Sequence, residues 1–115
     1  MDLSKQVISL ELAQKLKDLG VKQESLFCWK PDGGWHLSQK FGQHSISAFT
    51  VAELGDILSS TSYNWQNAKY DHEAAKGRWF ISDYSNKLPV QVEETEADAR
   101  AKMLVYLIEN KLINL

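Results

Sequence analysis

Cysteine, proline and long apolar runs are all scarce in this sequence. One cysteine, Cys28, and two prolines occur among 115 residues. A single cysteine cannot close an intramolecular disulfide, so nothing indicates an oxidising compartment. The longest apolar run, residues 103–108, is far shorter than the roughly 20 residues that a membrane-spanning helix requires. The amino-terminal segment carries charges throughout, which is not typical of a signal peptide. We therefore expect a cytoplasmic protein without a membrane span.

An excess of charge of either sign is also lacking. The chain has 13 Lys and Arg against 15 Asp and Glu, which gives a formal net charge of −2 and a pI near 5.9. Nucleic-acid-binding proteins usually carry a basic stripe, so nucleic acid is not an expected partner. With 43% hydrophobic and 24% charged residues, the composition is that of an ordinary folded protein. The length predicts a single domain over residues 1–115.

Capping residues mark two helices in the first half of the chain. Ser9 suits the N-cap of a first helix, and Gly20 suits the left-handed position just past its end. A second helix begins at Thr50, which is expected to form a capping box with Glu53. Gly55 lies inside this helix, where it weakens the helix by about 1 kcal/mol relative to alanine or lets another group approach closely.

The stretch from residue 25 to residue 41 predicts a β-hairpin. A three-residue loop, 31–33, would form a type I turn followed by a bulge. This loop sets Trp29 opposite Trp35 and Phe27 opposite Leu37, so both tryptophans are expected to be buried on one face. The other face would carry Cys28, Lys30, His36 and Ser38.

The remaining strands lie in the second half of the chain. Residues 42–49 are expected to form an irregular linker, and residues 63–93 are rich in strand patterns. Trp79 and Ile81 share one side of a predicted strand while Phe80 lies on the other, which favours a central strand. The complete pattern predicts an α+β domain of order α-β-β-α-β-β-β-α, in which helices pack on one face of an antiparallel sheet.

No catalytic constellation and no cofactor-binding motif is evident. Residues 71–73 (Asp-His-Glu) form a charged, turn-like stretch, but adjacent residues in a turn rarely converge on one metal ion, so no metal site is expected. Cys28 and His36 would lie only diagonally across the hairpin, and Cys28 is more typical of a small buried hydrophobe. A glycine-rich phosphate loop is missing as well. The sequence therefore predicts no catalytic residues, no metal ligands and no cofactor.

The last helix is apolar on two sides. Thr95 is its expected N-cap, with Asp98 three residues later. The expected core stripe consists of Ala97, Ala101, Leu104, Val105, Ile108 and Leu112. A second, roughly opposite face consists of Ala99, Met103, Tyr106 and Leu107. Two explanations stay open for this second face. It packs within the chain, for example against the first helix, or it is an interface with another chain, for which a two-fold homodimer is the simplest arrangement.

Three segments of the chain carry a family resemblance. The sequences "LAQKLKDLGVKQESLFCW", "TVAELGDIL" and "TEADARAKMLVYLIENKLI", in this order and at these distances, resemble a family of small uncharacterised proteins from phages and prophages of gut bacteria. The likeness covers most of the chain and is weakest between about residues 59 and 92. It implies a mobile-element accessory protein that acts in the bacterial cytoplasm, and it brings no assigned activity or catalytic residues.

Two functions are consistent with these patterns. The first is a non-enzymatic protein-interaction or adaptor protein, whose partner is another protein or a second copy of the chain, bound through the last helix and the adjoining sheet surface. The alternative is a small-ligand or nucleic-acid binding module built on exposed strand aromatics. It requires that one of four tryptophans faces solvent, namely Trp29, Trp35, Trp65 or Trp79. An enzyme would need His36 or His72 to meet an acidic residue in a pocket.

Overall fold

The structure is a computed structural model that describes residues 3–69, 77–85 and 87–113. Its helices are α1 (Leu10–Asp18), α2 (Val51–Ser59) and α3 (Glu96–Glu109), preceded by a short 3-10 turn at Leu3–Lys5. Its strands are β1 (Cys28–Lys30), β2 (His36–Ser38), β3 (Ile46–Ser47), β4 (Trp65–Lys69), β5 (Trp79–Asp83) and β6 (Gln91–Glu93). The α+β class and the predicted order of elements are confirmed, and β3 is an addition. Among the described helices, none has the length and apolarity needed to cross a membrane.

The strands are divided between two antiparallel sheets rather than joined in one. The first sheet has the order β2-β1-β3 and the second has the order β4-β5-β6. Every strand therefore pairs within its own half of the chain, and α2 connects the two halves. Strand β3 lies in the stretch expected to be a linker, where Ile46 pairs with Trp29. Strand β5 is central in its sheet, as the apolar residues on both of its sides predicted.

Side-chain caps fix the beginnings of the three helices as predicted. Ser9, Thr50 and Thr95 are the N-caps, and each side chain accepts a hydrogen bond from an amide of its first helical turn. The capping box at Thr50 is complete, because the Glu53 carboxylate also accepts a hydrogen bond from the backbone N–H of Thr50. Gly20 follows α1 with a φ of 90°, a conformation that costs glycine little.

The predicted hairpin register is wrong by two residues. Strand β1 pairs Trp29 with Leu37 and Lys30 with His36, so the loop spans residues 31–35 instead of 31–33. Two consecutive glycines at 33 and 34 have positive φ values of 67° and 107°, and they let the chain make this longer turn. Because side chains alternate with a period of two, the shift keeps the predicted faces and changes only the partners.

The two hairpin tryptophans have different surroundings as a consequence. Trp29 is half-buried against the core, and its Nε1 donates to the Ile8 carbonyl at 3.1 Å. Trp35 lies outside the strand pairing and is 47% exposed. The prediction that both tryptophans are buried neighbours is therefore wrong for Trp35.

Helix α3 lies at the centre of the core. Seven of its residues are buried, at positions 97, 99, 101, 103, 104, 105 and 107. The helix contacts α1, α2 and all three strands of the second sheet. Leu16 of α1, Leu54 and Leu58 of α2, and Ile81 of β5 are buried in the same cluster. Burial on more than one side of α3 explains why its sequence is apolar on two faces.

A half-buried carboxylate joins the beginnings of α1 and α3. The Asp98 Oδ1 atom accepts the backbone N–H of Ser9 at 2.7 Å, so a residue of α3 supplies the acceptor for the N-cap amide of α1. Burial raises the pKa of the Asp98 carboxyl above its ordinary value of 3.8, while the hydrogen bond from Ser9 lowers the pKa and nearby Glu93 and Glu11 raise it. The net shift is upward, because loss of hydration is the largest effect.

Candidate functional site

The predicted interface on the last helix is part of the core. Ala99, Met103 and Leu107 have no exposed area, and Tyr106 is half-buried and packs against the core cluster. The three fully buried residues offer no surface to a second chain, because α3 packs against α1, α2 and the second sheet. The structure thus corrects the interface prediction and supports the intramolecular explanation.

The residues considered for catalysis or metal binding are not brought together. Cys28 is fully buried with its Sγ 3.6 Å from the Lys40 carbonyl, and it lies diagonally from the exposed His36. His44 is exposed in a loop. No group of three His, Cys, Asp or Glu side chains that could hold a metal ion occurs within residues 3–69, 77–85 and 87–113. The predicted turn 71–73 lies outside these described residues.

Three aromatic residues line one concave surface, namely Tyr63, Trp65 and Tyr84. Trp65 of β4 is half-buried and lines a cleft of about 580 Å³ between α2, the second sheet and α3. We call this feature the aromatic cleft. It is lined by Gly55, Leu58, Ser59, Tyr63, Asn64, Trp65, Asn67, Ile81, Tyr84 and Arg100. Its volume falls within the range of roughly 300 to 1,000 Å³ that is typical of small-molecule sites.

Two aromatic rings and a rim tyrosine shape the cleft. The rings of Tyr63 and Trp65 lie 5.5 Å apart and are tilted by 44°. The Trp65 Nε1 atom donates to the Leu58 carbonyl at 2.9 Å and to Thr61 Oγ1 at 3.2 Å, so the indole is fixed to the end of α2. Tyr84 follows β5 and is 65% exposed. The cleft therefore has a fixed aromatic wall and a more exposed edge.

Arg100 places a positive charge at the inner side of the cleft. Its Nε donates to Asn67 Oδ1 at 2.7 Å, its Nη1 to the Val51 carbonyl at 3.0 Å, and its Nη2 to Glu96 Oε2 at 3.2 Å. Asn67 in turn donates from Nδ2 to the Phe80 carbonyl at 2.6 Å. This network joins α2, α3 and the second sheet, and it holds the guanidinium in one position.

Gly55 makes room for that guanidinium. A Cβ atom built on Gly55 would lie less than 3.0 Å from Arg100 Nη1, a separation that real Cβ atoms essentially never show. The sequence left two explanations for Gly55 inside α2, and the close approach of another group, here the Arg100 guanidinium, is confirmed. Sequence reasoning did not identify Arg100 or Asn67. The glycine in α2 was the one available signal, and it does not name the group that approaches.

The described lining of the aromatic cleft consists of aromatic, apolar and neutral polar residues together with Arg100. No histidine, cysteine or carboxylate is among the residues that line the aromatic cleft within the described part of the chain.

No family model matches the chain, and neither the curated proteins nor the solved structures contain a match. The chemistry of the cleft must therefore be inferred from its own residues.

Proposed function

We propose that the protein is a non-enzymatic binding module that holds a small molecule in the aromatic cleft. The observation that carries this proposal is a concave site of about 580 Å³ in which a fixed aromatic wall faces a few polar groups. Small-molecule sites in proteins usually combine these two features. The proposal is compatible with the phage or prophage accessory role that the family resemblance implies.

The placement of the aromatics favours this alternative over an interface on the last helix. Three of the four residues expected to form that interface are fully buried, whereas Tyr63 and Trp65 border a cleft. A small-ligand or nucleic-acid binding module built on exposed strand aromatics was the alternative function that the sequence left open. A cleft of about 580 Å³ with aromatic and polar lining residues supports the small-ligand form of this alternative.

The test is a fragment screen by NMR on isotope-labelled protein. Small aromatic compounds should shift the Trp65 indole N–H resonance and the amides of residues 63–67, because these groups border the cleft. Tyr84→Ala removes an exposed edge of the cleft and should weaken binding by about tenfold, since an aromatic contact and its buried area are lost. Trp35→Ala is the matched control, because it also removes a largely exposed aromatic but lies away from the cleft.

The screen gives a clear negative outcome. If no aromatic fragment shifts these resonances at millimolar concentration, the cleft is not a ligand site. If binding shifts a different region, or if Trp35→Ala weakens it as much as Tyr84→Ala, the ligand site lies elsewhere.

An interaction role with another protein has one observation in its favour. Trp35 and Phe41, on either side of β2, are 47% and 46% exposed, and tryptophan is enriched among residues that dominate protein interfaces. Quantitative pull-downs from phage-infected host cells test this second candidate. A captured protein that is lost with Trp35→Ala and retained with Tyr84→Ala would support it, and equal capture by both variants would refute it.

A further inference from the structure

We infer that the ligand of the aromatic cleft is a small aromatic carboxylate, a conclusion that rests on the proposed ligand-binding function. Charge is the first reason. Within the part of the chain that the structure describes, Arg100 is the one charged residue that lines the cleft. An anionic group in the cleft therefore meets a positive charge and no opposing carboxylate on the lining itself.

Hydrogen-bond capacity is the second reason. A guanidinium has five N–H groups, and Arg100 uses three of them on Asn67, Val51 and Glu96. One N–H group on Nη1 and one on Nη2 have no partner among the described residues. Two guanidinium N–H groups are what a carboxylate accepts when it binds in a bidentate manner.

Glu96 shares the charge of Arg100 and leaves two of its N–H groups free. The Arg100 and Glu96 side chains are 22% and 26% exposed and their charged atoms lie 3.2 Å apart. They belong to the same helix four residues apart, and Glu96 occupies one of the five N–H groups of Arg100. Glu96 lines a different depression and not the aromatic cleft.

A singly charged group fits better than a phosphate. The C-terminal end of α2 borders the cleft through Leu58 and Ser59, and the negative end of a helix dipole repels a doubly charged phosphate more strongly than a singly charged carboxylate. The Leu58 carbonyl is already occupied, since it accepts from Thr61 Oγ1 at 2.6 Å and from Trp65 Nε1 at 2.9 Å. One guanidinium beside this helix end suits a single carboxylate, whereas phosphate sites usually combine several cations or backbone amides.

The aromatic wall accounts for the rest of the ligand. Tyr63 and Trp65 provide apolar contact area, and aromatic rings pair favourably in tilted or offset arrangements. Asn64 and Ser59 add neutral hydrogen-bonding groups at the lining. A planar ring against this wall allows a carboxylate on the ring to point toward Arg100.

Benzoate and benzamide are suitable probes because they have nearly the same shape and differ in charge. We expect benzoate to bind about tenfold more tightly than benzamide in NMR titrations at neutral pH, because only benzoate forms charge-assisted hydrogen bonds with Arg100. Adding salt should weaken benzoate binding and leave benzamide binding unchanged.

Two variants of the Arg100 network sharpen the test. Arg100→Lys keeps the charge and removes the planar pair of donors, so benzoate should lose most of its advantage over benzamide. Glu96→Gln frees the guanidinium from its carboxylate partner, so benzoate should bind more tightly. Arg78→Gln is the control, because it removes an exposed cation that does not line the cleft. Circular dichroism confirms that each variant is folded.

The outcomes separate the inference from the proposed function. If benzoate and benzamide bind the cleft equally well, the carboxylate inference is wrong and the ligand-binding function stands. If Glu96→Gln weakens benzoate binding in a folded protein, Arg100 is not the group that recognises the carboxylate. If neither probe binds and no neutral aromatic fragment does, the proposed function fails and the inference fails with it.

Discussion

Replacing Gly55 with alanine tests the geometry around Arg100 directly. In an ordinary helix this substitution stabilises the protein by about 1 kcal/mol, because alanine is the better helix former. Here a Cβ atom at position 55 would overlap Arg100 Nη1, so the guanidinium must move away from the Val51 carbonyl. Losing a hydrogen bond to a charged group costs about 1.5 to 3 kcal/mol. We therefore expect Gly55→Ala to destabilise the protein by about 0.5 to 2 kcal/mol.

The sign of this effect should reverse when Arg100 is absent. In an Arg100→Ala background the added methyl group meets no guanidinium, so Gly55→Ala should then stabilise the protein by up to about 1 kcal/mol. Urea denaturation followed by circular dichroism measures all four free energies of unfolding. Ala52→Gly is the matched control, because Ala52 is an exposed residue of the same helix and its effect should be equal in both backgrounds.

The cycle has one outcome that would refute the geometry. If Gly55→Ala stabilises the protein by the same amount with and without Arg100, the guanidinium does not pack against Gly55. The position of the positive charge in the aromatic cleft would then be wrong as well.

Three further predictions concern the core and the helix caps. Met103→Glu should destabilise the protein by several kcal/mol, because it places a carboxylate at a fully buried position, whereas Met103→Leu should cost less than about 1.5 kcal/mol. In urea denaturation with light scattering, a Glu variant that stays folded as a stable monomer would contradict this placement. Asp98→Asn should gain stability relative to the wild type as the pH rises from 3 to 7. Because the pKa of Asp98 is raised in the folded state, the contribution of Asp98 to stability falls as the pH rises from 3.8 through the folded-state pKa, and a pH-independent difference between the two proteins would refute this. Thr50→Ala should cost about 1 kcal/mol in thermal or urea unfolding, since it removes the side-chain cap of α2, and an unchanged midpoint would show that the cap is not formed.

Local signals in the sequence predicted the helices well. The N-caps Ser9, Thr50 and Thr95 and the left-handed Gly20 act within a few residues of themselves, so their effects depend little on the rest of the fold. The alternation of side chains in the hairpin was also predicted correctly. The partners in the hairpin were not, because the longer turn through the two glycines shifts the pairing by two residues without exchanging the faces.

The aromatic cleft was beyond the reach of local patterns. Arg100 and Asn67 are 33 residues apart in sequence, and their contact depends on how α3 packs against β4. Periodicity predicts where strands lie, but it does not identify the pairing partner of an edge strand. The same strand pattern is therefore consistent with two three-stranded sheets or with one larger sheet. The second apolar face of α3 left two explanations open for the same reason. An intramolecular neighbour and a second chain both require an apolar surface.

The central position of α3 has a consequence for the order of events during synthesis. The helix is the last element described, and it contacts α1, α2 and every strand of the second sheet. Ribosomes make proteins from the amino terminus, so all of these elements emerge before the helix on which they pack. The backbone N–H of Ser9 likewise gains its hydrogen-bond acceptor only after Asp98, 89 residues later, has been made. The nascent chain therefore exposes the apolar surfaces of α1, α2 and the second sheet until nearly all residues of α3 have been made. Its main folding step must follow completion of α3, and ribosome-bound chains that stop before residue 95 should be highly sensitive to proteases.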